Sequence, residues 1–277
     1  MIKSHGFYCG TVWIILVLAS LVHDSFAQSD PAKESEAARN LWNLAIAAKG
    51  GRERLHAVQN LLMTRVNTGC SPENECELDE LFVFPDKKWS YVFVPDKYPG
   101  GRKEVSIWDF GRNIWWTKLG KVSVDISDRR YSSRLPYAQY YLLLESAWIQ
   151  PIPMSKRTGK IEGTKYDVVR ARIPGEIDVL TENSRELVID YFLDRKTRLP
   201  VSIRVVRDGE PDDEGSSIYT GYKSVDGILL PTEIRRSTDY EKFVQEFSYQ
   251  INIPVDVKVF DGPITQVTRR YAWRLTK

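Results

Sequence analysis

The stretch that decides the fold runs from Leu78 to Phe93 and reads LDELFVFPDKKWSYVF. Large apolar side chains at every second residue are typical of β-strands, because successive side chains of a strand point to opposite faces. Pro85-Asp86-Lys87 supplies turn residues between the two halves. We therefore predict a β-hairpin whose large side chains share one face: Leu78, Phe82 and Phe84 before the turn, and Trp89, Tyr91 and Phe93 after it.

The same period of two continues on both sides of this hairpin. Most connecting segments are short and rich in turn residues, such as Gly111-Arg112 and Asp226-Gly227. Short connections imply that neighbouring strands run antiparallel. The chain is therefore predicted to be mainly β (α+β), with one large antiparallel sheet. Its further strands are predicted at Leu61–Val66, Val105–Phe110, Asn113–Lys118, Tyr166–Ile173, Leu187–Leu193, Val201–Val206, Ser216–Tyr222, Ile228–Arg236 and Phe243–Ile251.

Two segments carry apolar residues at helical spacing instead. The first follows Ser29-Asp30-Pro31, a helix-start signal, and ends at Gly50-Gly51. The second follows Ser132-Ser133 and cannot continue past Pro151. Both need an apolar surface to cover, so we expect them to lie across the concave side of the sheet. The stripe of the second helix consists of Tyr137, Tyr141, Leu144 and Trp148.

The N-terminus has the features of an export signal. Lys3 precedes an apolar run from Thr11 to Val22, and small residues then lead to Ala27. A membrane-spanning helix needs about 20 apolar residues, so this shorter run favours cleavage after Ala27 over an uncleaved anchor. We expect residues 28–277 to form one soluble periplasmic domain that ends in a basic and aromatic tail, residues 264–277. That tail either touches an anionic membrane surface or is simply solvated.

The charge balance gives no sign of a polyanionic partner. Lys plus Arg total 39 and Asp plus Glu total 37, which argues against nucleic-acid binding. Cys70 and Cys76 are the cysteines that follow the export signal, and an even count in an oxidising compartment favours a disulfide between them. Two free thiols are the alternative. In either case the pair is expected to stabilise a loop and to have no catalytic role.

The sequence lacks the usual motifs for catalysis or cofactor binding. His56 is the sole histidine after the export signal, which excludes zinc sites built on several histidines and Ser-His-Asp triads. We interpret His56 as a surface residue or one that flanks a helix. No glycine-rich phosphate loop and no nucleophile elbow occurs. We therefore expect no cofactor and no metal.

Carboxylates are the remaining candidate catalysts, because two of them on facing strands could act as acid and base. Each candidate is predicted to lie at or beside a turn, where Asp commonly bonds the backbone, so a structural role is preferred. The acidic run 211–215 lacks the spacing of a calcium loop and is interpreted as a solvated hairpin tip. The four candidates are Asp109, Asp190, Asp194 and Asp226.

The aromatic side chains are more bulky than one sheet face needs when two helices cover it. An ordinary core explains any one of these residues, but the set as a whole favours a cavity for an apolar ligand. The predicted cavity wall consists of Phe82, Phe84, Trp89, Tyr91, Phe93, Ile107, Trp115, Phe243 and Phe247. No catalytic residue is assigned.

Several short strings stand in a particular order between Ala38 and Pro263. They are AKGG (48–51) with Leu55 and Val58, FPDKKW (84–89), DFGRNIW (109–115), LDRKTRLP (193–200), YKSVDGILLP (222–231) and INIPVD (251–256) with Phe260. In this order they resemble the outer-membrane lipoprotein-sorting proteins, whose fold is that of the periplasmic lipoprotein-localisation (Lol-type) carriers. Each string alone is mostly turn chemistry, so the order carries the resemblance.

The resemblance implies an unclosed β-barrel, a strongly curved antiparallel sheet of about eleven strands covered by helices. It also implies that the hydrophobic space inside receives the acyl chains of a lipid or lipoprotein. We expect a monomer that takes its load from a membrane donor protein and delivers it to an acceptor. The chain is longer than the bacterial carriers and adds the loop between Cys70 and Cys76 and the C-terminal tail, which leaves the cargo open.

Two other functions fit the same sequence. The first is an envelope sensor or scaffold of the same fold without a mobile lipid load. The second is an envelope enzyme that uses carboxylates inside the cavity.

For the carrier, we expect a lid: the helix that bears Tyr137, Tyr141, Leu144 and Trp148 fills the empty cavity and is displaced on loading.

Overall fold

The computed structural model describes residues 31–66, 77–94, 102–112, 114–119, 122–125, 145–177, 186–207, 209–211, 217–237, 242–261 and 264. Within these residues the chain is mainly antiparallel β-sheet with few helices, which confirms the predicted fold class. None of the helices in this part is both long and apolar enough to cross a membrane.

Two helices open the described chain, α1 (Pro31–Lys49) and the short α2 (Arg52–His56). The break between them depends on Gly50, whose φ of 127° lies in the region that favours glycine. A Cβ atom at Gly50 would lie 2.3 Å from the carbonyl oxygen of Gly227. A larger residue therefore cannot occupy this position unless the backbone moves. The predicted end of the N-terminal helix at Gly50-Gly51 is confirmed.

Fourteen strands follow in the described part of the chain. In chain order they are β1 (Asn60–Val66), β2 (Glu77–Val83), β3 (Lys87–Val94), β4 (Arg102–Asp109), β5 (Ile114–Leu119), β6 (Val122–Asp125), β7 (Ile152–Ile161), β8 (Thr164–Ile177), β9 (Glu186–Leu193), β10 (Pro200–Arg207), β11 (Glu210–Pro211), β12 (Ser217–Val225), β13 (Ile228–Ser237) and β14 (Lys242–Ile251). A 3₁₀ helix, Val257–Phe260, comes after the last of them.

The strands form two antiparallel sheets, where the sequence predicted a single one, and these sheets curl into the expected half-barrel. The larger sheet has the order β12-β13-β14-β1-β2-β3-β4-β5-β6, and the smaller has the order β11-β10-β9-β8-β7. The sheets meet where β10 lies beside β12, and the Tyr222 hydroxyl donates to the carbonyl oxygen of Pro200 over 2.5 Å. Helix α1 packs inside the curve, against β7, β8 and β13.

Strands β6, β7 and β11 were not predicted from the sequence. Pro151, the predicted limit of a helix, directly precedes β7, and Pro153 lies within that strand. Strand β7 is an edge strand of the smaller sheet, and edge strands tolerate proline because one side of their backbone needs no partner. Alternation alone could not separate this edge strand from a loop.

The predicted mid-chain helix does not reach Trp148. Residues 145–151 are not helical, and β7 begins directly after them. Ser146 Oγ accepts hydrogen bonds from the backbone N–H groups of Trp148 (3.3 Å) and Ile149 (3.2 Å). Such side-chain bonds to the backbone compete with the helical pattern. The placement of Trp148 in this helix is therefore wrong.

The larger sheet is buried on both faces at β1–β4. Phe82 packs in the cluster beneath α1, whereas its neighbour Leu81 packs with Phe260 of the C-terminal segment. Successive residues of a strand point to opposite faces, so the two clusters lie on opposite sides of the sheet. We call the face toward α1 the helix side and the other face the C-terminal side.

Candidate functional site

The helix side carries an apolar lining that extends from β8 in the smaller sheet to β2 in the larger one. Phe82, Phe84 and Phe247, three of the predicted wall residues, belong to it. Helix α1 covers part of it with Trp42, whose ring meets the ring of Tyr191 edge-on at 4.9 Å. Each of eight strands contributes to the lining, here represented by Val169, Tyr191, Ile203, Tyr219, Leu230, Tyr249, Met63 and Phe82.

Other predicted wall residues lie on the C-terminal side: Trp89, Tyr91 and Ile107. The three-residue turn 84–86 sets this register, because it pairs Lys88 with Phe82. Directly paired residues share a face, so Trp89 points away from Phe82, and a shift of one residue would reverse the two faces. Phe93 packs at the edge of the same C-terminal cluster. The prediction of one shared aromatic face is therefore wrong for β3.

Several predicted residues lie outside the described part of the chain. The backbones of Trp115 and Phe243 belong to β5 and β14, but their side chains are not described. Cys70 and Cys76 are not described either, so their disulfide stays a prediction. The same holds for the lid residues Tyr137, Tyr141 and Leu144. Trp148 is described: it lies in the bend before β7 and is 49% exposed.

The helix side becomes polar from β2 to β5. Glu80, Ser90, Ser106 and Thr117 are consecutive cross-strand partners and form a polar row. Glu80 pairs with Lys88, and Ser106 Oγ lies 2.8 Å from Thr117 Oγ1. An alkyl chain over this row would remove polar groups from water without offering hydrogen bonds. This row therefore interrupts the apolar wall predicted for the sheet, although Val92 of β3 still packs against the lining on the same face.

Glu145 is a buried carboxylate that the sequence reasoning did not single out. It is 5% exposed and accepts a hydrogen bond from Trp42 Nε1 over 3.0 Å. Its Oε1 contacts Nε of Arg52 and lies 3.0 Å from Nε2 of His56. Glu145 therefore ties α1 and α2 to the segment before β7. His56 does flank a helix, as expected, but its side chain is 26% exposed and takes part in this buried cluster.

An open pocket of about 330 Å³ lies beside Glu145. Helix α1 contributes Trp42 and Asn43, α2 contributes Arg52, and residues 150–153 form the opposite wall. Arg52 is held from two sides, because its Nε contacts Glu145 and its Nη2 donates to Asn43 Oδ1 over 3.1 Å. The sequence offers no local signal for this pocket, since its walls come from three separate segments.

Lys49, in the last turn of α1, is fully buried. Its Nζ donates to the carbonyl oxygen of Leu229 and lies 5.5 Å from the centre of the Tyr222 ring. Burial away from water lowers the pKa of Lys49 well below its ordinary value. The tertiary fold thus places a basic residue from a helix end in the core.

Asp109 is a structural carboxylate. It is 1% exposed, and burial by itself raises its pKa. Hydrogen bonds from Arg112 and the charges of Lys87 and Arg112 outweigh that burial, so the pKa of Asp109 lies below its ordinary value. Arg112 also donates to the carbonyl oxygen of Phe260 over 2.9 Å. The group thereby joins the β4–β5 turn to the C-terminal segment.

The other carboxylate candidates are also engaged in structure. Asp190 lies within β9 and not beside a turn, so that expectation is wrong, and it accepts a hydrogen bond from Arg170 Nε over 2.8 Å. Asp194 accepts from the backbone N–H of Thr197 over 2.7 Å, which lowers its pKa. Asp226 lies in a turn with a φ of 49°. Among the described residues, no cluster of His, Cys, Asp and Glu could hold a metal ion.

Comparison with known proteins gives matches in structure but not in sequence. No family model and no curated protein matches the chain. A DUF1329 family protein from Desulfovibrio piger is 12% identical over 84% of this chain and 98% of that chain, with a TM-score of 0.42. A LolA superfamily protein from Nitrosomonas europaea is 13% identical over 80% and 96%, with a TM-score of 0.44. An outer membrane lipoprotein-sorting protein domain from Vibrio parahaemolyticus is 15% identical over 84% and 97%, with a TM-score of 0.42. The structural neighbours of this chain include a LolA superfamily protein and an outer membrane lipoprotein-sorting protein domain, both at low sequence identity.

Proposed function

We propose that this protein is an exported carrier or binding protein for acyl chains. It holds the chains of a lipid or lipoprotein against the apolar lining of its half-barrel and transfers them across the periplasm. The sequence resemblance described above suggests this cargo. The observation that carries the proposal is the width of the apolar lining.

The lining extends beyond the helix that covers it. Eight strands contribute to it, and neighbouring strands lie about 4.8 Å apart, so the lining measures roughly 34 Å along its curve. Helix α1 has 19 residues and lies across the strands, because Trp42 meets Tyr191 of β9 and Lys49 bonds the carbonyl oxygen of Leu229 in β13. Its main strand contacts are with β7, β8 and β13, so the part of the lining on β14, β1 and β2 needs another cover. The lining residues are buried, so an acyl chain would have to take the place of such a covering segment.

Capture of an acyl chain must be reversible in a carrier. Burial of one methylene contributes about 0.8 kcal/mol, so a chain of about 16 carbons would gain on the order of 12 kcal/mol, which approaches irreversible binding. A segment that covers the lining in the empty protein and is displaced on loading offsets part of this gain. The proposed cover is the helix predicted around Tyr137, Tyr141 and Leu144.

In this proposal the protein acts in the periplasm as a monomer, once the export signal has been cleaved after Ala27. It receives its load from one membrane protein and delivers it to another. A disulfide between Cys70 and Cys76 suits that oxidising compartment. Each of these points depends on the exported location, which the N-terminal signal predicts.

Two adjacent valines of β10 provide a matched test. Val205 and Val206 are both partly buried, and Val205 packs against the apolar lining, whereas Val206 points to the opposite face. We expect Val205→Glu to weaken binding of a fluorescent fatty-acid probe by more than about tenfold, because a carboxylate facing an alkyl chain loses its water. Val206→Glu should leave the affinity unchanged. Probe titration, with far-UV circular dichroism to check folding, measures both.

Equal probe affinity in the two variants would contradict the proposal. Native mass spectrometry of protein purified from its own host gives a second test, since a co-bound lipid mass is expected. Lipid-free protein that captures one envelope protein would instead favour the sensor or scaffold. Loss of turnover on replacing Asp109 or Asp190, at unchanged stability, would favour the enzyme.

A further inference from the structure

The pocket beside Glu145 carries two guanidinium groups on its wall. Arg39 and Arg52 both line it. Arg39 and Asn43 are one helical turn apart, so they share a face of α1. Asn43 Oδ1 accepts a hydrogen bond from Arg52 Nη2 over 3.1 Å. Arg39, Asn43 and Arg52 therefore line the same part of the pocket.

Arg52 is oriented before any ligand arrives. Its side chain is 50% exposed, while the Glu145 carboxylate that holds it is 5% exposed. The contacts of its Nε with Glu145 and of its Nη2 with Asn43 fix the plane of the guanidinium. These contacts use one edge of the group, and its remaining donors make no hydrogen bond to any residue that the structure describes.

Arg39 is exposed at the rim of the same pocket. Within the described ranges of the chain its side chain makes no hydrogen bond or ion pair. Arginine is always charged in proteins and is less strongly hydrated than lysine, so it exchanges water readily for an anion. Arg39 is thus a cation in a concave site whose charge no described residue neutralises.

The pocket has a net positive charge. Glu145 offsets one of the two guanidinium charges, and the other lining residues are uncharged: Trp42, Asn43, Gln150, Pro151, Ile152 and Pro153. Apolar walls around a charge focus its field and raise the local concentration of counter-ions. A volume of about 330 Å³ is sufficient for a small organic ligand.

We infer that this pocket binds an oxyanion, a phosphate or carboxylate group, between Arg39 and Arg52. The planar donor pairs of arginine match both groups, and Trp42 with the two prolines receives the apolar part of the ligand. This inference goes beyond acyl binding and does not depend on it. Trp42 separates the two sites, because its ring contacts Tyr191 of the apolar lining on one side and lines the pocket on the other.

Arg39→Gln tests the site without disturbing Glu145. Lys33→Gln is the matched control, since it removes the same charge from an exposed position of the same helix. We expect inorganic phosphate to raise the melting temperature of the wild type above that in chloride at equal ionic strength. Isothermal titration calorimetry should show phosphate affinity at least about tenfold weaker in Arg39→Gln, the loss expected for a charged hydrogen bond, and unchanged in Lys33→Gln.

A second probe distinguishes the sources of the anion. Tighter binding of dodecyl phosphate than of inorganic phosphate, with the same loss in Arg39→Gln, supports a lipid headgroup. Equal affinities support a free phosphate. No binding of either phosphate beyond the chloride control, or equal binding by Arg39→Gln and the wild type, overturns the inference. The fatty-acid titration of Val205→Glu is independent of this result, so failure of the acyl-binding proposal is recognised separately.

Discussion

Replacement of Lys49 by Met is expected to remove a pH dependence from the stability of the protein. Lys49 is fully buried, and burial lowers its pKa well below the ordinary value of 10.5. The unfolded chain exposes the same amine to water. Between the lowered pKa and 10.5, the unfolded chain therefore binds one more proton at this residue than the folded protein does.

The sign of the effect follows from this difference in protons. The free energy of unfolding rises with pH across that window, by about 1.4 kcal/mol per pH unit for one proton. The free energy of unfolding is correspondingly smaller at pH values closer to the lowered pKa of Lys49. Lys49→Met loses the hydrogen bond to the Leu229 carbonyl oxygen, which contributes about 1 kcal/mol. The stability of Lys49→Met relative to the wild type should nevertheless increase with each unit of decreasing pH, because Met binds no proton in either the folded or the unfolded state.

Urea unfolding followed by circular dichroism at several pH values between neutrality and 9.5 measures this difference. That range stays below the ordinary pKa of tyrosine. Burial raises the pKa of Tyr222 and Tyr249, so these two residues affect stability only at higher pH. Lys33→Met, at an exposed position of the same helix, should follow the wild type. Parallel stability profiles for Lys49→Met and the wild type would refute the reasoning.

Three further changes test other contacts. Glu145→Ala should lower the free energy of unfolding by about 2 to 4 kcal/mol, since it leaves the Trp42 indole N–H buried without its acceptor; urea unfolding measures this, and a loss below about 0.5 kcal/mol would contradict it. The lowered pKa of Asp109 stabilises the fold above the ordinary value of 3.8, and this contribution disappears as the pH falls below it. Asp109→Asn should therefore flatten the acid limb of the stability profile, and an unchanged limb in acid titration would show that the ion pairs contribute nothing. Gly50→Ala should cost more than about 2 kcal/mol, from its φ and the clash with a carbonyl, whereas Gly163→Ala, with a φ of 80° and open space, should cost about 1 kcal/mol; equal melting temperatures would argue against the clash.

Patterns that repeat over a few residues determined the elements of this protein. The period of two between Leu78 and Phe93 predicted β2 and β3, and the structure has both strands. The start signal at Pro31 and the glycine pair at Gly50-Gly51 delimited α1. These predictions succeed because side-chain direction, caps and glycine conformations are properties of the local backbone.

The tertiary structure alone decided which face of each strand packs on the helix side and which packs on the C-terminal side. A three-residue turn put Lys88 opposite Phe82, and that pairing sent Trp89 to the C-terminal side. Alternation in one strand cannot reveal this, because both faces of the sheet are buried and its period is the same for either register.

The candidate site was likewise beyond the reach of the sequence. Glu145 meets His56 and Trp42 across 89 and 103 residues. Lys49 becomes a core residue through contacts with β12 and β13, far along the chain. The sequence determined which residues form strands and helices through local backbone preference. Packing between distant segments decided which charges are buried and which pocket they line, and no short stretch of sequence encodes that packing.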